Sequence, residues 1–452
     1  MWKSNIIDQG VGIILKKTQA VVIPPLVVVP DPASRQTNVA QPVDDTSGQL
    51  EPDLPAIQIH PNTFKSDAKW NDSDVLVSTA VRDIEAAYEE IVFFKRNLMP
   101  LPSGAIIKDF INELTLWLKH FNQSSSKFNS FALKAFMVMP DLLLQKPSRN
   151  SKGKDNSLAL KRRIVEWKAG NIGKLFREAK FLQYKMMNNL KSHQSPENIA
   201  KTFDKFIQQG RIKAAMNLLQ RVSSSGLHDL TTDVIKDLTI KHPAPSPIFD
   251  HATLLCGPKI KETEEYLIHG IDEQCVMRAA LVSSGSAGPS GIDAEMLRSL
   301  LCSNRHSAES KEIREQIALL TKNLLLQTYH PDLIEPLVAC RLIPLVKKPS
   351  GVRPIGVGES LRRLMGKTIS WVLKDEIKSV AGPLQTCANH GAGAEAAIHS
   401  MRQIFEKEST DAVLLIDASN AFNCLNRSAA LHNIQVLCPA LATYLINTYR
   451  LK

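Results

Sequence analysis

The sequence predicts an α+β chain, helical in its front half and mixed in its back half. Three observations lead there. Apolar residues from Val81 onward recur at helical spacing, two apolar runs after residue 340 flank a Lys-Lys-Pro-Ser-Gly turn, and Ala412–Ile416 is a continuous apolar run of strand length. The 452 residues suffice for two or three domains.

Hydrophobic residues make up 44% and charged residues 22%, so most of the chain is expected to be globular. The net charge of +10 suits a polyanionic partner, either nucleic acid or an anionic membrane surface. A membrane span is not expected. The most apolar early stretch, Val21–Pro30, is interrupted by Pro24 and Pro25, whereas a span needs roughly 20 apolar residues. Met1-Trp2-Lys3-Ser4-Asn5 lacks the pattern of a secretory signal. The seven cysteines are odd in number and form no C-x-x-C pair, which argues against a disulfide framework or a zinc site. They read as reduced thiols, small buried hydrophobes of a nuclear or cytoplasmic protein that is not secreted.

Residues 1–75 are expected to be largely disordered. From residue 30 onward Pro, Asp, Ser, Thr, Asn and Gln dominate, and isolated apolar residues cannot offset the ordering entropy. Residues 76–245 read as a basic helical region. Ile84, Tyr88, Ile91 and Val92 fall on one helix face, and after the breaker 100–104 so do Phe110, Leu114, Trp117, Leu118 and Phe121. Core packing is the expected role of both stripes. Further on, Phe203, Phe206, Ile207, Ile212, Ala215, Leu218 and Leu219 are candidate core, and 241–247, rich in proline, marks the expected domain boundary. Between Lys146 and Lys191 basic residues greatly outnumber Asp155, Glu166 and Glu178. Lys161, Arg162, Arg163, Lys168, Lys174 and Arg177 are candidate phosphate contacts for nucleic acid. The competing reading is a solvated helix face. The Lys161-Arg162-Arg163 triplet also suits a nuclear signal, on weak grounds.

Residues 246–452 carry four segments of interest. Gly288-Pro289-Ser290-Gly291-Ile292-Asp293 reads as a turn feeding a helix, with Asp293 placed as an N-cap. Arg341 to Val357 reads as a β-hairpin with Lys347 and Lys348 on one arm and Arg353 on the other. Such a two-armed basic clamp can hold a triphosphate, Arg353 being capable of bidentate contact, although a plain exposed basic hairpin looks the same. Gly391 to Arg402 opens a helix with Ile398, Met401 and Phe405 on one face, and His399 is expected at its surface. The run Ala412–Ile416 then ends at Asp417, followed by Ala418-Ser419-Asn420-Ala421-Phe422-Asn423. A carboxylate there suits metal binding for phosphoryl transfer, and equally a cap or turn.

In this order, a basic hairpin, a helix and a strand-Asp-x-x-x-Ala-Phe segment, residues 250–452 resemble the reverse transcriptase family. The branch they resemble most is that of non-LTR, LINE-like retrotransposons, where Gly-Pro-x-Gly precedes the fingers hairpin and Arg-Pro-Ile marks its second arm, as Arg353-Pro354-Ile355 does here. The resemblance implies the fingers and partial palm of a right-hand polymerase, preceded by a helical linker. It implies that Asp417 is the first catalytic aspartate and binds Mg²⁺, with the Ala418 carbonyl as a further ligand. By the same resemblance Phe422 is the steric gate under the sugar, and Lys347 or Lys348 with Arg353 contacts the incoming deoxynucleotide triphosphate. RNA and DNA, as template and primer, are the implied partners. Asn423 departs from the Asp common at that place, which is not a metal ligand in the family.

In the family a Gly-rich segment and a turn bearing two adjacent aspartates lie further on, whereas Cys424 to Lys452 hold no Asp or Glu. The expectation is therefore the front part of an RNA-directed DNA polymerase, inactive by itself because the later carboxylates are missing. The alternative is a non-catalytic, nucleic-acid-binding remnant of a retroelement. A helical interaction protein without a nucleic-acid role is disfavoured by the basic hairpin and the Asp417 segment.

Overall fold

The computed structural model describes residues 4–7, 11–15 and 74–450, except 96, 124, 127, 149, 194–195, 224–225, 245–253, 258–264, 348–350, 388–390, 408, 411 and 417–419. In chain order, strands β1 (Ser4–Ile7) and β2 (Val11–Leu15) precede helices α1 (Asp74–Ile91), α2 (Ala105–Asn122), α3 (Asn129–Leu143) and α4 (Gly153–Lys168). Next come α5 (Ile172–His193), α6 (Pro196–Gln208), α7 (Ile212–Ser223) and α8 (Thr232–Lys241). The helices α9 (Glu265–Ile268), α10 (Glu273–Leu281), α11 (Ala294–Cys302), α12 (Ser307–Leu326) and α13 (Pro331–Val338) lead into the hairpin of β3 (Cys340–Val346) and β4 (Val352–Gly358). After it follow α14 (Ser360–Val372), α15 (Lys374–Ala381), α16 (Gly393–Glu406), β5 (Ala412–Ile416), α17 (Ala421–Cys424), α18 (Arg427–Leu437) and α19 (Pro439–Tyr449). The α+β class expected from the sequence is present, with helix dominant and the sheets small.

The chain forms two units, residues 64–394 with 420–452, and residues 1–63 with 395–419. The larger unit is built on the α2 stripe. Phe110, Leu114, Leu118, Trp117 and Phe121 are all buried, as their spacing demands. Trp117 meets Trp167 of α4 edge-on, centroids 6.1 Å apart, and Phe121 stacks on Tyr329 after α12 at 5.4 Å. From α1, Ile84, Tyr88 and Ile91 join the same core. So do Leu324 of α12, Leu364 of α14 and Tyr444 of α19, so helices from both sides of residue 245 share one interior. Of the expected boundary 241–247, residues 245–247 lie outside the described residues. The Asn447 side chain ties α19 to the end of α12. Its Nδ2 donates to the carbonyls of Leu324 at 3.0 Å and Gln327 at 2.7 Å, and its Oδ1 accepts from the Tyr329 amide at 2.9 Å.

One stretch departs from expectation. Of the candidate core in α6 and α7 only Ala215 is buried, while Ile207, Ile212 and Leu219 are exposed. The two helices pack mainly on each other across a tight turn at Gly210, whose φ is 67°. A two-helix hairpin has two apolar faces and nothing to close over both. The cysteines also split. All seven are free, but only Cys275 and Cys438 are buried, and Cys256, Cys340, Cys387 and Cys424 are exposed. Cys340 alternates outward on β3, which shows how pattern overrides residue type.

In the smaller unit β5 is a strand, as the apolar run predicts. It pairs antiparallel with β2, Val11 opposite Ile416 and Leu15 opposite Ala412, and β2 pairs with β1. These two early strands lie in the segment expected to be disordered. The short apolar runs Ile6-Ile7 and Ile13-Ile14-Leu15, rich in β-branched residues, can pair on an available edge, which composition over a 75-residue window conceals. Residues 1–3, 8–10 and 16–73 of that segment lie outside the described residues. On α16, Phe405 is buried while Ile398, Met401 and His399 are exposed.

Candidate nucleotide and nucleic-acid site

The hairpin forms in the register its turn dictates, Val346 opposite Val352, Leu345 opposite Arg353 and Cys340 opposite Gly358. Lys347 closes it, its amide donating to the Gly351 carbonyl at 2.9 Å, and Gly351 takes a φ of 117° that favours glycine. Cross-strand partners share a face, so Arg353 lies with Leu345, and alternation puts Lys347 next along that face. Both basic side chains are exposed. Lys348 lies outside the described residues.

The hairpin is held rigidly from both sides. The segment before α8 pairs with the outer edge of β3, the Val346 amide donating to Gly226 and the His228 amide to Pro344, both at 2.9 Å. Across it α8 packs Val234 and Leu238 on Val352, and Lys241 donates its ammonium to the Val352 carbonyl. At the base, Glu359 anchors the loop Gly288–Asp293. Its buried carboxylate accepts from the Ser290 hydroxyl at 2.8 Å, the Ser290 amide at 3.1 Å and the Ser360 amide at 2.8 Å. Burial pushes the Glu359 carboxyl up, against the pull of these donors. Gly288 has no room for a side chain, since a Cβ would lie 2.7 Å from Glu359 Cα and 2.8 Å from the Gly358 carbonyl oxygen. Asp293 caps α11 as expected, accepting from the Met296 amide at 2.9 Å. Sequence reading does not single out Glu359. Its place between Gly358 and the amphipathic start of α14 is the only signal, and that signal suggests a helix cap rather than a loop anchor.

A second buried carboxylate, Asp141 of α3, meets the same loop. Gly291, at φ 72°, leaves it room, for a Cβ there would be 3.0 Å from Asp141 Oδ1. Burial pushes the Asp141 carboxyl up to about 8, though the Arg341 guanidinium nearby pulls the other way. The front helices and the hairpin base are thus joined by polar groups that burial holds away from water.

The basic helices behave differently from expectation. Arg163 is 1% exposed and points inward. It donates to the carbonyls of Leu143 and Gln145 and pairs with Glu178 at 2.8 Å. It is a structural residue of the α4–α5 packing and not a phosphate contact, because no phosphate reaches it. Arg162 also pairs with Glu178, at 2.6 Å, Lys168 pairs with Glu113 at 3.0 Å, and Lys174 pairs with Glu166. Lys161 and Arg177 are exposed. The one-sided charge seen in the sequence is partly answered by acids from α2 and from neighbouring turns.

Phe422, on α17, is fully exposed. Asp417 and Ala418 lie outside the described residues. Among the described residues no group of three or more His, Cys, Asp or Glu side chains is placed to hold a metal ion, and no helix is long and apolar enough to cross a membrane. Comparison with protein-family models, with curated proteins and with solved structures returns no match for this chain.

Proposed function

We propose that the chain carries the fingers region of a reverse-transcriptase-type, RNA-directed DNA polymerase. In this reading the β3–β4 hairpin is the fingers element that holds a deoxynucleotide triphosphate, and the helical region ahead of it meets RNA or DNA. The observation that carries it is the hairpin itself. Lys347 and Arg353 share one exposed face at its tip, while its base is fixed by Glu359 against the buried Gly-Pro-Ser-Gly loop. A fixed base with a charged, solvent-facing tip can place cations on a polyphosphate with little backbone ordering at binding. Arg353 suits two non-bridging oxygens at once and Lys347 a third as a point charge. The Mg²⁺ part of the reading rests on the sequence around Asp417 alone.

The test is binding of a fluorescent deoxynucleotide triphosphate to the full chain, competed by unlabelled triphosphate and by nucleoside. Triphosphate is expected to compete and nucleoside not. Arg353→Ala is expected to weaken binding about tenfold, the scale of one lost charge-assisted hydrogen bond. Equal competition by the nucleoside, or an unchanged Arg353→Ala variant, overturns the reading.

A further inference from the structure

The front helices bury nearly all their large aromatic residues. Phe110, Trp117, Phe121, Phe128, Phe131, Phe136 and Trp167 are each 5% exposed or less. On α5 two are not buried. Phe181 is 62% and Tyr184 67% exposed, and Arg177 and Lys185 on the same helix are exposed as well. At 3.6 residues per turn these four side chains lie within about 100° of one another around the helix, and they span about 12 Å of its length. The positions bearing the two rings are about 4.5 Å apart along the axis. An acidic neighbour on this face, Glu178, is engaged by Arg162 and Arg163 and adds little repulsion. A third exposed ring, Phe93 at 82%, follows α1. That end of α1 is pinned against this part of α5, because the Gln183 amide exchanges hydrogen bonds of 3.0 and 2.8 Å with the Lys95 backbone.

We propose that the α5 face bearing Arg177, Phe181, Tyr184 and Lys185 is a stacking platform for single-stranded nucleic acid. The inference rests on the proposed function and names the form of nucleic acid its helical region takes. Solvent-facing rings between cations match what an unpaired strand offers, bases with free π-faces alternating with phosphates. A duplex hides its base faces and offers phosphate alone. An acidic protein surface would use the cations but would not explain two exposed rings one turn apart between them.

The experiment uses the full chain and fluorescein-labelled 15-mers of oligo(dT) and oligo(rU), beside a mixed-sequence duplex of equal length. Phe181→Ala/Tyr184→Ala is expected to weaken single-strand binding about thirtyfold or more, by loss of stacking at two bases. Its salt slope should match the parent's, and its duplex affinity should not change. Tyr184→Trp should restore binding in the single-site background, since it keeps a stacking ring. Arg177→Ala should lower the slope of log affinity against log salt by about 0.7. The two oligonucleotides separate RNA from DNA preference. Circular dichroism confirms folding, which exposed positions are expected to tolerate. Single-strand affinity unchanged in the double variant overturns the proposal, as does equal loss on single strand and duplex. So does a parent that self-associates through this face, shown by a sedimentation shift that the double variant abolishes while nucleic-acid binding persists. Triphosphate binding through Arg353, measured on the same proteins, reports separately on the hairpin reading.

Discussion

Replacing Arg163 by Ala tests whether the core of the basic region is built on a charge. In the parent the guanidinium holds two main-chain carbonyls, Leu143 and Gln145, and the Glu178 carboxylate. Removing it strands both carbonyls in a site closed to water, at about 1–3 kcal/mol each. Glu178 is a quarter exposed and keeps Arg162, so its share is small. Losing the buried alkyl stem adds about 1 kcal/mol. The total, about 3–7 kcal/mol, spans the usual cost of about 3–5 kcal/mol for breaking a buried pair by removing one partner. Arg162→Ala is the control. Its side chain is 49% exposed, and its removal is expected to cost under about 1 kcal/mol. Urea unfolding followed by tryptophan emission reads the difference, because Trp117 and Trp167 are buried beside the site. A loss below about 1 kcal/mol for Arg163→Ala, or equal losses for the two variants, refutes the reasoning.

Asp141 gives a pH signature. Its folded carboxyl titrates near 8 and its unfolded one near 4, so between those values the folded state holds a proton that the unfolded state has lost. Stability should therefore fall as pH rises from about 5 to 8, by up to about 1.4 kcal/mol per pH unit, and Asp141→Asn should flatten that slope. A parent that gains stability over this range, or an Asn variant with the parent's slope, contradicts the assignment. Gly288→Ala should lower the melting temperature through a backbone clash with Glu359 and Gly358 worth about 1–3 kcal/mol, while Gly351→Ala, with open space around it, should show only the strain of its φ, about 1–3 kcal/mol.

What the sequence revealed depended on whether local rules and tertiary packing agreed. The α2 stripe, the hairpin and the Asp293 cap follow from spacing and turn chemistry within a dozen residues, and all three are present. Arg163 misleads because the charge run around it reads as surface, and only the approach of α3 and Glu178 turns it inward. Ile207 and Ile212 mislead the other way, since helical periodicity states which face is apolar but not whether anything covers it. Glu359 and Ser290 are 69 residues apart, and no local pattern announces such a contact.

The link between α19 and α12 bears on how the protein is made. Asn447 completes hydrogen bonds at the end of α12 that lie 120 residues earlier in the chain. At about 5–20 residues per second, synthesis of that interval lasts roughly 6–24 s. Throughout it the carbonyls of Leu324 and Gln327 lack this partner, and the apolar side of α12 lacks the cover of α19. For many seconds, then, the nascent chain carries on α12 an apolar strip that only earlier elements can cover, the kind of surface on which chaperones that bind exposed apolar segments act.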